Sequence, residues 1–273
     1  MHHDVAGQAV AAVGLLAALG YHLAATRLRS RGDRWPVPAQ AAFLVGCLAL
    51  WLAGLGPGTD HGTSTDAMVR HLLLGMVAPL LLVLGRPVTL ALRALPAGPV
   101  RRGFVRALHS APVSVLVCPP VAAVLDAGGM WVLFRTPLPA WAASRPWLAL
   151  LVHAHVLGAG LLFSAAVCQL DPVRRRYGVV MRGAALVAAA AAHGVLAKLL
   201  WAQAGTVDAR QAAMIMYYGG DIVEIALAAV LAAGWYAAGG RALRRGSAGA
   251  RCGTGSSRCL EVAHGDDRLR PVQ

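Results

Sequence analysis

Seven apolar stretches follow one another along this chain, and each is long enough to cross a membrane as a helix. They lie at about 5–25, 37–55, 67–84, 112–134, 147–168, 179–203 and 212–237. The composition agrees, because 58% of the 273 residues are hydrophobic and only 14% are charged. The sequence therefore predicts an all-α, polytopic membrane protein, with a bundle of seven transmembrane helices in one domain, residues 1–246.

The arginines predict how this bundle is oriented. Twenty of the 25 basic residues lie on one side of it or in the tail: Arg27, Arg29, Arg31, Arg34, Arg86, Arg93, Arg101, Arg102, Arg106, Arg174, Arg175, Arg176, Arg182, Arg241, Arg244, Arg245, Arg251, Arg258, Arg268 and Arg270. Loops on the opposite side carry only Arg135, Arg145 and Arg210. Cytoplasmic loops carry such an excess, so we expect the amino terminus outside and the carboxyl terminus in the cytoplasm.

The net charge of +13 is then explained by topology and by contact with anionic membrane lipids, and we expect no nucleic-acid partner. Residues 86–110 alternate arginines with apolar residues, which fits either short helices in the headgroup layer or an ordinary basic loop. Residues 247–273 are rich in Gly, Ser and Arg and include Cys252 and Cys259. They are expected to form a disordered basic cytoplasmic tail.

Ionisable side chains inside apolar spans are costly, so each is a candidate functional residue. Seven side chains in this sequence meet that description: His71, His153, His155, His193, Lys198, Asp221 and Glu224. Counted from the span ends at about 1.5 Å per residue, the histidines and carboxylates all fall in the outer half of the bundle. The predicted site is therefore one-sided, which favours a holding site over a channel.

Helical phase predicts which of these side chains can meet. Met214, Tyr217, Asp221 and Glu224 are spaced three, four and three residues apart, so they share one face that should point into the bundle. His153 and His155 are about 200° apart around their helix, so only one can face a common site. Neutral imidazoles with a nearby thioether suit a transition metal, and the thioether favours Cu(I).

Two other interpretations of the same residues remain open. The histidines and carboxylates could pair as buried hydrogen bonds between helices, or they could form a proton or ion pathway. No nucleotide-binding loop or nucleophile motif is present, so we do not expect an enzyme.

Six segments of the chain, in order, resemble the polytopic CtaG-type cytochrome c oxidase assembly factors of bacteria. They lie at 68–90, 128–138, 153–155, 171–172, 193–198 and 217–224, within a similarity that runs over about 63–235. The first opens with Met68-Val-Arg-His71, and the last reads Tyr217-Tyr-Gly-Gly-Asp221-Ile-Val-Glu224.

This resemblance implies a multi-pass protein of the bacterial plasma membrane whose partners are cytochrome c oxidase subunits. It also implies delivery of copper to the oxidase on the outer face. We expect Cu(I) to be held by His71, His193 and either His153 or His155, with Asp221 and Glu224 orienting the imidazoles or serving as ligands. Met68, Met214, Tyr217 and Lys198 are possible accessory residues. The alternatives are a copper or proton transporter using the same residues, and a structural chaperone of an oxidase subunit without metal.

Overall fold

The structure, a computed structural model, describes residues 5–55, 63–172 and 174–253, with side chains up to residue 240. Within these ranges the chain is helical and contains no strand. The helices are α1 Val5–Ser30, α2 Val37–Leu55, α3 Ser64–Leu72, α4 Ala78–Leu84, α5 Pro87–Ala94, α6 Pro99–Leu108, α7 Ala111–Leu116, α8 Pro119–Arg135, α9 Leu138–Ala143, α10 Pro146–Cys168, α11 Val179–Gln203 and α12 Val207–Gly253. The predicted all-helical fold is confirmed.

Six helical segments of the described chain are long and apolar enough to cross a membrane: Val5–Ser30, Val37–Leu55, Ser64–Leu84, Pro146–Cys168, Val179–Gln203 and Val207–Gly240. Predicting one continuous helix at 112–134 was wrong. The chain leaves the helix at Val117 and Cys118 and starts α8 at Pro119. Proline has no N–H to continue a helix but suits its first turn. The 17 residues of α8 extend about 26 Å, a little less than a hydrocarbon core.

The chain divides into two compact units, Met1–Leu231 and Ala232–Gln273. All of the side chains that form the candidate site belong to the first unit. Helix α12 continues through Gly253, seven residues into the predicted tail. Residues 254–273, with Cys259, lie outside the described residues, so the disordered tail stays a prediction.

A π-helical turn, Leu73–Val77, joins α3 to α4 within the third membrane-length segment. Pro79 cannot donate a hydrogen bond to the Gly75 carbonyl four residues earlier, and its ring would crowd that carbonyl in a regular helix. The wider turn removes the conflict. It also lets α10 approach closely, because a Cβ atom on Gly160 would overlap the Gly75 carbonyl oxygen. Such π turns often occur at functional sites, and this one begins two residues after His71.

The arginine-rich end of the bundle is closed by short helices that an aspartate holds in place. Asp171 accepts hydrogen bonds from the backbone N–H groups of Val88 at 3.3 Å and Thr89 at 2.8 Å, and from the Thr89 hydroxyl at 2.6 Å. It therefore caps the first turn of α5 from another part of the chain. The helical interpretation of residues 86–110 is confirmed by α5 and α6.

At the arginine-poor end, the first turns of α3 and α12 are joined side by side. Asp208, near the start of α12, accepts hydrogen bonds from the backbone N–H groups of Ser64 at 2.7 Å and Thr65 at 3.2 Å. These N–H groups have no partner within a helix, because they belong to its first turn. Asp208 thus sets the relative height of α3 and α12, the helices that carry His71 and Glu224.

Candidate functional site

A narrow cavity of about 40 Å³ lies inside the first unit, and five ionisable side chains line it: His71, Asp126, His155, His193 and Glu224. They come from α3, α8, α10, α11 and α12. A water molecule needs about 10–15 Å³ by this measure, so the cavity has room for a small ion or two to three waters. The rest of the lining is mainly apolar, so any charge placed here would be poorly hydrated.

His193 and Glu224 form the strongest polar contact in the cavity. The Nδ1 atom of His193 lies 2.8 Å from Oε1 of Glu224, and the two side chains are 4% and 13% exposed. An ionised Glu224 can only accept, so Nδ1 carries the proton and donates it to the carboxylate. The other ring nitrogen, Nε2, then has a free lone pair. It is buried and has no hydrogen-bond partner among the described residues.

The His71 ring is held by packing contacts rather than by hydrogen bonds. Both of its ring nitrogens are buried without a hydrogen-bond partner in the described chain. Its ring meets Phe134 edge to face, with the centroids 5.2 Å apart. A buried polar atom left unpaired costs about 1–3 kcal/mol. His71 and His193 together leave three imidazole nitrogens in this state, an arrangement that bound ligands commonly explain.

Glycines make room for two of the histidine rings. A Cβ atom on Gly220 would overlap the His193 ring, and a Cβ atom on Gly129 would overlap the His155 ring. Gly128, the residue before Gly129, faces open space. The two glycines therefore let α12 and α8 lie against imidazoles on neighbouring helices, where a larger residue would push the rings away.

Comparison with known proteins identifies the family. Residues 19–238 match the family described as cytochrome c oxidase caa3 assembly factors. This chain belongs to that family. The resemblance expected from the six sequence segments is confirmed.

Curated relatives of this assembly-factor family member include uncharacterized proteins of Mycobacterium bovis and Mycobacterium tuberculosis. Each is 33% identical over 208 residues, which are 73% of this chain and 32% of the relative. An uncharacterized protein of Mycobacterium leprae is 31% identical over 209 residues, with the same shares of the two chains. This chain thus spans about a third of the length of the curated relatives it matches. No solved structure matches it.

Four of the six predicted metal ligands line the cavity of this assembly-factor family member: His71, His155, His193 and Glu224. Of the two histidines on α10, the structure thus places His155 there. The Nδ1 atom of His153 instead lies 2.7 Å from the Ala149 carbonyl oxygen on its own helix. Asp221 is partly buried, does not line the cavity, and makes no hydrogen bond or ion pair with the described residues.

The two accessory residues predicted on α12 are placed differently: Met214 lies on the exposed side, whereas Tyr217 is partly buried and packs against a core cluster that includes Met216. Met214 is 49% exposed, whereas Met216 is fully buried. The inward face of α12 is formed by the buried residues Ala213, Met216, Gly220, Val223 and Leu227, with Glu224 at its edge. The observed inward face of α12 is rotated around the helix axis by about one residue from the predicted stripe. Either face was possible, because Gly219 and Gly220 both allow a neighbouring helix to pack closely. Lys198 is exposed, with Nζ 5.4 Å from the centre of the Tyr217 ring.

Asp126 is a cavity residue that the sequence interpretation missed. The sequence did indicate it, because Asp126 stands in the middle of the predicted span 112–134 and is the one charged residue in that span. Met76 and Met130 also line the cavity. Methionine in an apolar helix carries no such signal, because it is a common core residue.

The donor groups do not form a ready-made metal site. Among the described residues, no group of three or more His, Cys, Asp or Glu side chains is placed so that it could hold a metal ion. The imidazoles and carboxylates surround a shared space without converging on one point. Binding an ion would require side-chain rotations within the cavity.

Proposed function

We propose that this chain assists the assembly of cytochrome c oxidase by holding Cu(I) transiently in the cavity before the metal passes to the oxidase. The observation that carries the proposal is the set of three buried, unpaired imidazole nitrogens on His71 and His193. A neutral imidazole has one nitrogen lone pair and one N–H group, so a ligand that accepts lone pairs could bind one nitrogen of each ring, and the third nitrogen is a donor. Copper is the cargo in this proposal, and the description of the family supports the oxidase as the partner.

The charges around the cavity suit a monovalent soft cation. Glu224 fixes the His193 tautomer, so that Nε2 is free to coordinate, as carboxylates do for metal-bound histidines. The carboxyl groups of Glu224 and Asp126 line this poorly hydrated space, and in their ionised form they would lower the cost of placing a cation there. Imidazole and thioether donors favour copper over hard cations such as Mg²⁺. Because the donors do not converge, the site would bind and release the metal rather than retain it.

The proposed topology places the cavity in the outer half of the bacterial plasma membrane. We propose seven crossings, with α8 as the fourth, the amino terminus outside and the carboxyl terminus in the cytoplasm. The excess of arginine at one end supports this orientation. His193 lies ten residues before the end of α11, which is about 15 Å, and His155 lies nine residues after the start of α10, about 14 Å. Both distances are counted from the arginine-poor end.

A histidine that stays outside the cavity offers a matched control for the test. His193→Gln and His153→Gln are compared in a strain that lacks the gene, at limiting copper, with protein abundance measured alongside oxidase activity. Glutamine keeps hydrogen-bonding capacity but removes imidazole coordination. We expect normal abundance for both variants, loss of oxidase activity for His193→Gln, and full activity for His153→Gln. Added copper should partly restore the first variant.

The same experiment separates copper handling from the competing functions. A structural chaperone without metal would lose oxidase activity only when protein abundance falls, and added copper would not restore it. A transporter that supplies copper would be restored by copper, but it needs a polar path through both halves of the bundle. Full oxidase activity of His193→Gln at limiting copper would end the proposal.

A further inference from the structure

Three methionines from three helices meet in one buried cluster beside the cavity. Met68, Met130 and Met216 are 3%, 8% and 0% exposed, and they pack together with Leu196, Ala197 and Ala212. We call Met68, Met130 and Met216 the methionine cluster. Met130 also lines the cavity itself. The cluster and the cavity are therefore in direct contact.

The methionine cluster lies between the cavity and the arginine-poor end. Met68 precedes His71 by three residues on α3, and Met130 follows Asp126 by four residues on α8. Met216 precedes Glu224 by eight residues on α12. In each pair, the methionine lies nearer than its partner to the end of the bundle where α3 and α12 begin and α8 ends. One helical turn is about 5.4 Å, so the three methionines lie about one to two turns from His71, Asp126 and Glu224.

Methionine is concentrated at this place in the molecule. The chain has seven methionines, of which Met1 lies outside the described residues. Four of the other six belong to the methionine cluster or line the cavity, Met76 being the fourth. The remaining two, Met181 and Met214, are 44% and 49% exposed. Leucine or isoleucine would fill the same apolar space with better-defined rotamers, so the thioethers offer chemistry that packing alone does not need.

We propose that the methionine cluster is a thioether passage through which Cu(I) moves between the cavity and the arginine-poor end of the bundle. The inference rests on the proposed function, because it names the route by which the cavity would gain and lose its metal. Thioethers are neutral soft donors that favour Cu(I). Movement is ligand exchange: copper–sulfur bonds break as copper–nitrogen bonds form. Copper stays at the +1 state, and no proton is released by the sulfur ligands.

The methionine cluster contains no charged side chain, whereas the cavity contains carboxylates, so the two should hold copper for different times. A methionine side chain has no charge, so a Cu(I) ion among the three thioethers keeps its full positive charge in an apolar layer. That state is costly and therefore short-lived. In the cavity, Glu224 and Asp126 can offset the charge. Copper should therefore rest in the cavity and only pass through the methionine cluster.

Loading kinetics of the detergent-purified full chain test the passage. The double variant Met68→Leu, Met216→Leu, which leaves the cavity lining intact, is mixed anaerobically with Cu(I) complexed to a coloured chelator, and colour loss is followed. Leucine replaces methionine with little change of volume and keeps the cluster apolar. We expect copper loading to slow by about tenfold or more, equivalent to about 1.4 kcal/mol in the barrier. The equilibrium copper content should stay unchanged. The control Met181→Leu, Met214→Leu should load at the wild-type rate.

Single variants cover the case in which the double variant fails to fold. Met68→Leu and Met216→Leu each remove one thioether, and we expect each to slow Cu(I) loading while the equilibrium copper content stays unchanged. Wild-type loading rates in a folded double variant overturn the passage, as do wild-type rates in both single variants if the double variant is unfolded. If the wild-type protein binds no Cu(I) at all, the proposed function fails together with the passage.

Discussion

Replacing Gly220 by alanine should destabilise this protein strongly, although alanine is the better helix former. The added Cβ atom would overlap the His193 ring. That ring is 4% exposed and hydrogen-bonded to Glu224 at 2.8 Å. The added Cβ atom would therefore both strain the α11–α12 contact and displace His193 from Glu224.

The magnitude follows from three contributions. Alanine in a helix interior gains about 0.5–1 kcal/mol over glycine. Overpacking a buried contact costs about 1–3 kcal/mol. Losing a hydrogen bond to a charged group costs about 1.5–3 kcal/mol more. The net effect is a loss of about 2–5 kcal/mol in the free energy of unfolding.

Unfolding in mixed micelles, titrated with a denaturing detergent and followed by circular dichroism, measures this change. Gly158→Ala is the matched control, because a Cβ atom there meets nothing within 4 Å. It should be neutral or stabilising by up to about 1 kcal/mol. A His193→Ala background should remove most of the Gly220→Ala penalty, since the overlapping ring is gone. Equal stability of Gly220→Ala and Gly158→Ala, or an undiminished penalty in the His193→Ala background, would refute the reasoning.

Three further predictions concern other parts of the structure. Asp171→Ala should lower the free energy of unfolding by about 0.5–2 kcal/mol, because α5 loses the carboxylate that caps its first turn, and the same detergent titration measures it. Asp126→Asn should leave stability nearly unchanged but weaken Cu(I) binding by about tenfold, or about 1.4 kcal/mol, since the cavity loses negative charge; equal affinities would exclude a role for Asp126. Reporters fused after Arg176 and Arg245 should report the cytoplasm and one after Ser144 the outside, whereas the reverse pattern would place the cavity near the cytoplasmic face.

Length and apolarity were sufficient to predict the helical membrane fold, because a helix is the way a single apolar segment satisfies its backbone hydrogen bonds in lipid. The break before α8 lies at Pro119 and Pro120, which from the sequence fit either a kink or the end of a span. Prolines are tolerated inside some membrane helices, so their presence alone does not separate a kink from a new helix. The π turn after His71 accompanies Pro79, but the close contact between the Gly75 carbonyl and Gly160 of another helix is not contained in the local sequence.

The candidate site was predictable in its residue types but less so in its geometry. Ionisable residues in apolar spans pointed to His71, His193 and Glu224, and the opposed phases of the two α10 histidines required a choice that the structure resolves as His155. The predicted inward face of α12 was rotated by about one residue from the observed one. Which face points inward depends on the packing of His193 against Gly220 and of Leu72 against Gly219. Such contacts join distant parts of the chain, so no local pattern reveals them.

The central claim, that the cavity holds Cu(I), is tested most directly by Cu(I) affinity of the detergent-purified protein, measured anaerobically by competition with a chromophoric chelator. The wild-type chain and His153→Gln should bind one Cu(I) with equal affinity. His193→Gln should bind at least about tenfold more weakly, each factor of ten corresponding to about 1.4 kcal/mol. Absence of Cu(I) binding by the wild-type chain, or equal affinity for His193→Gln, would contradict the account.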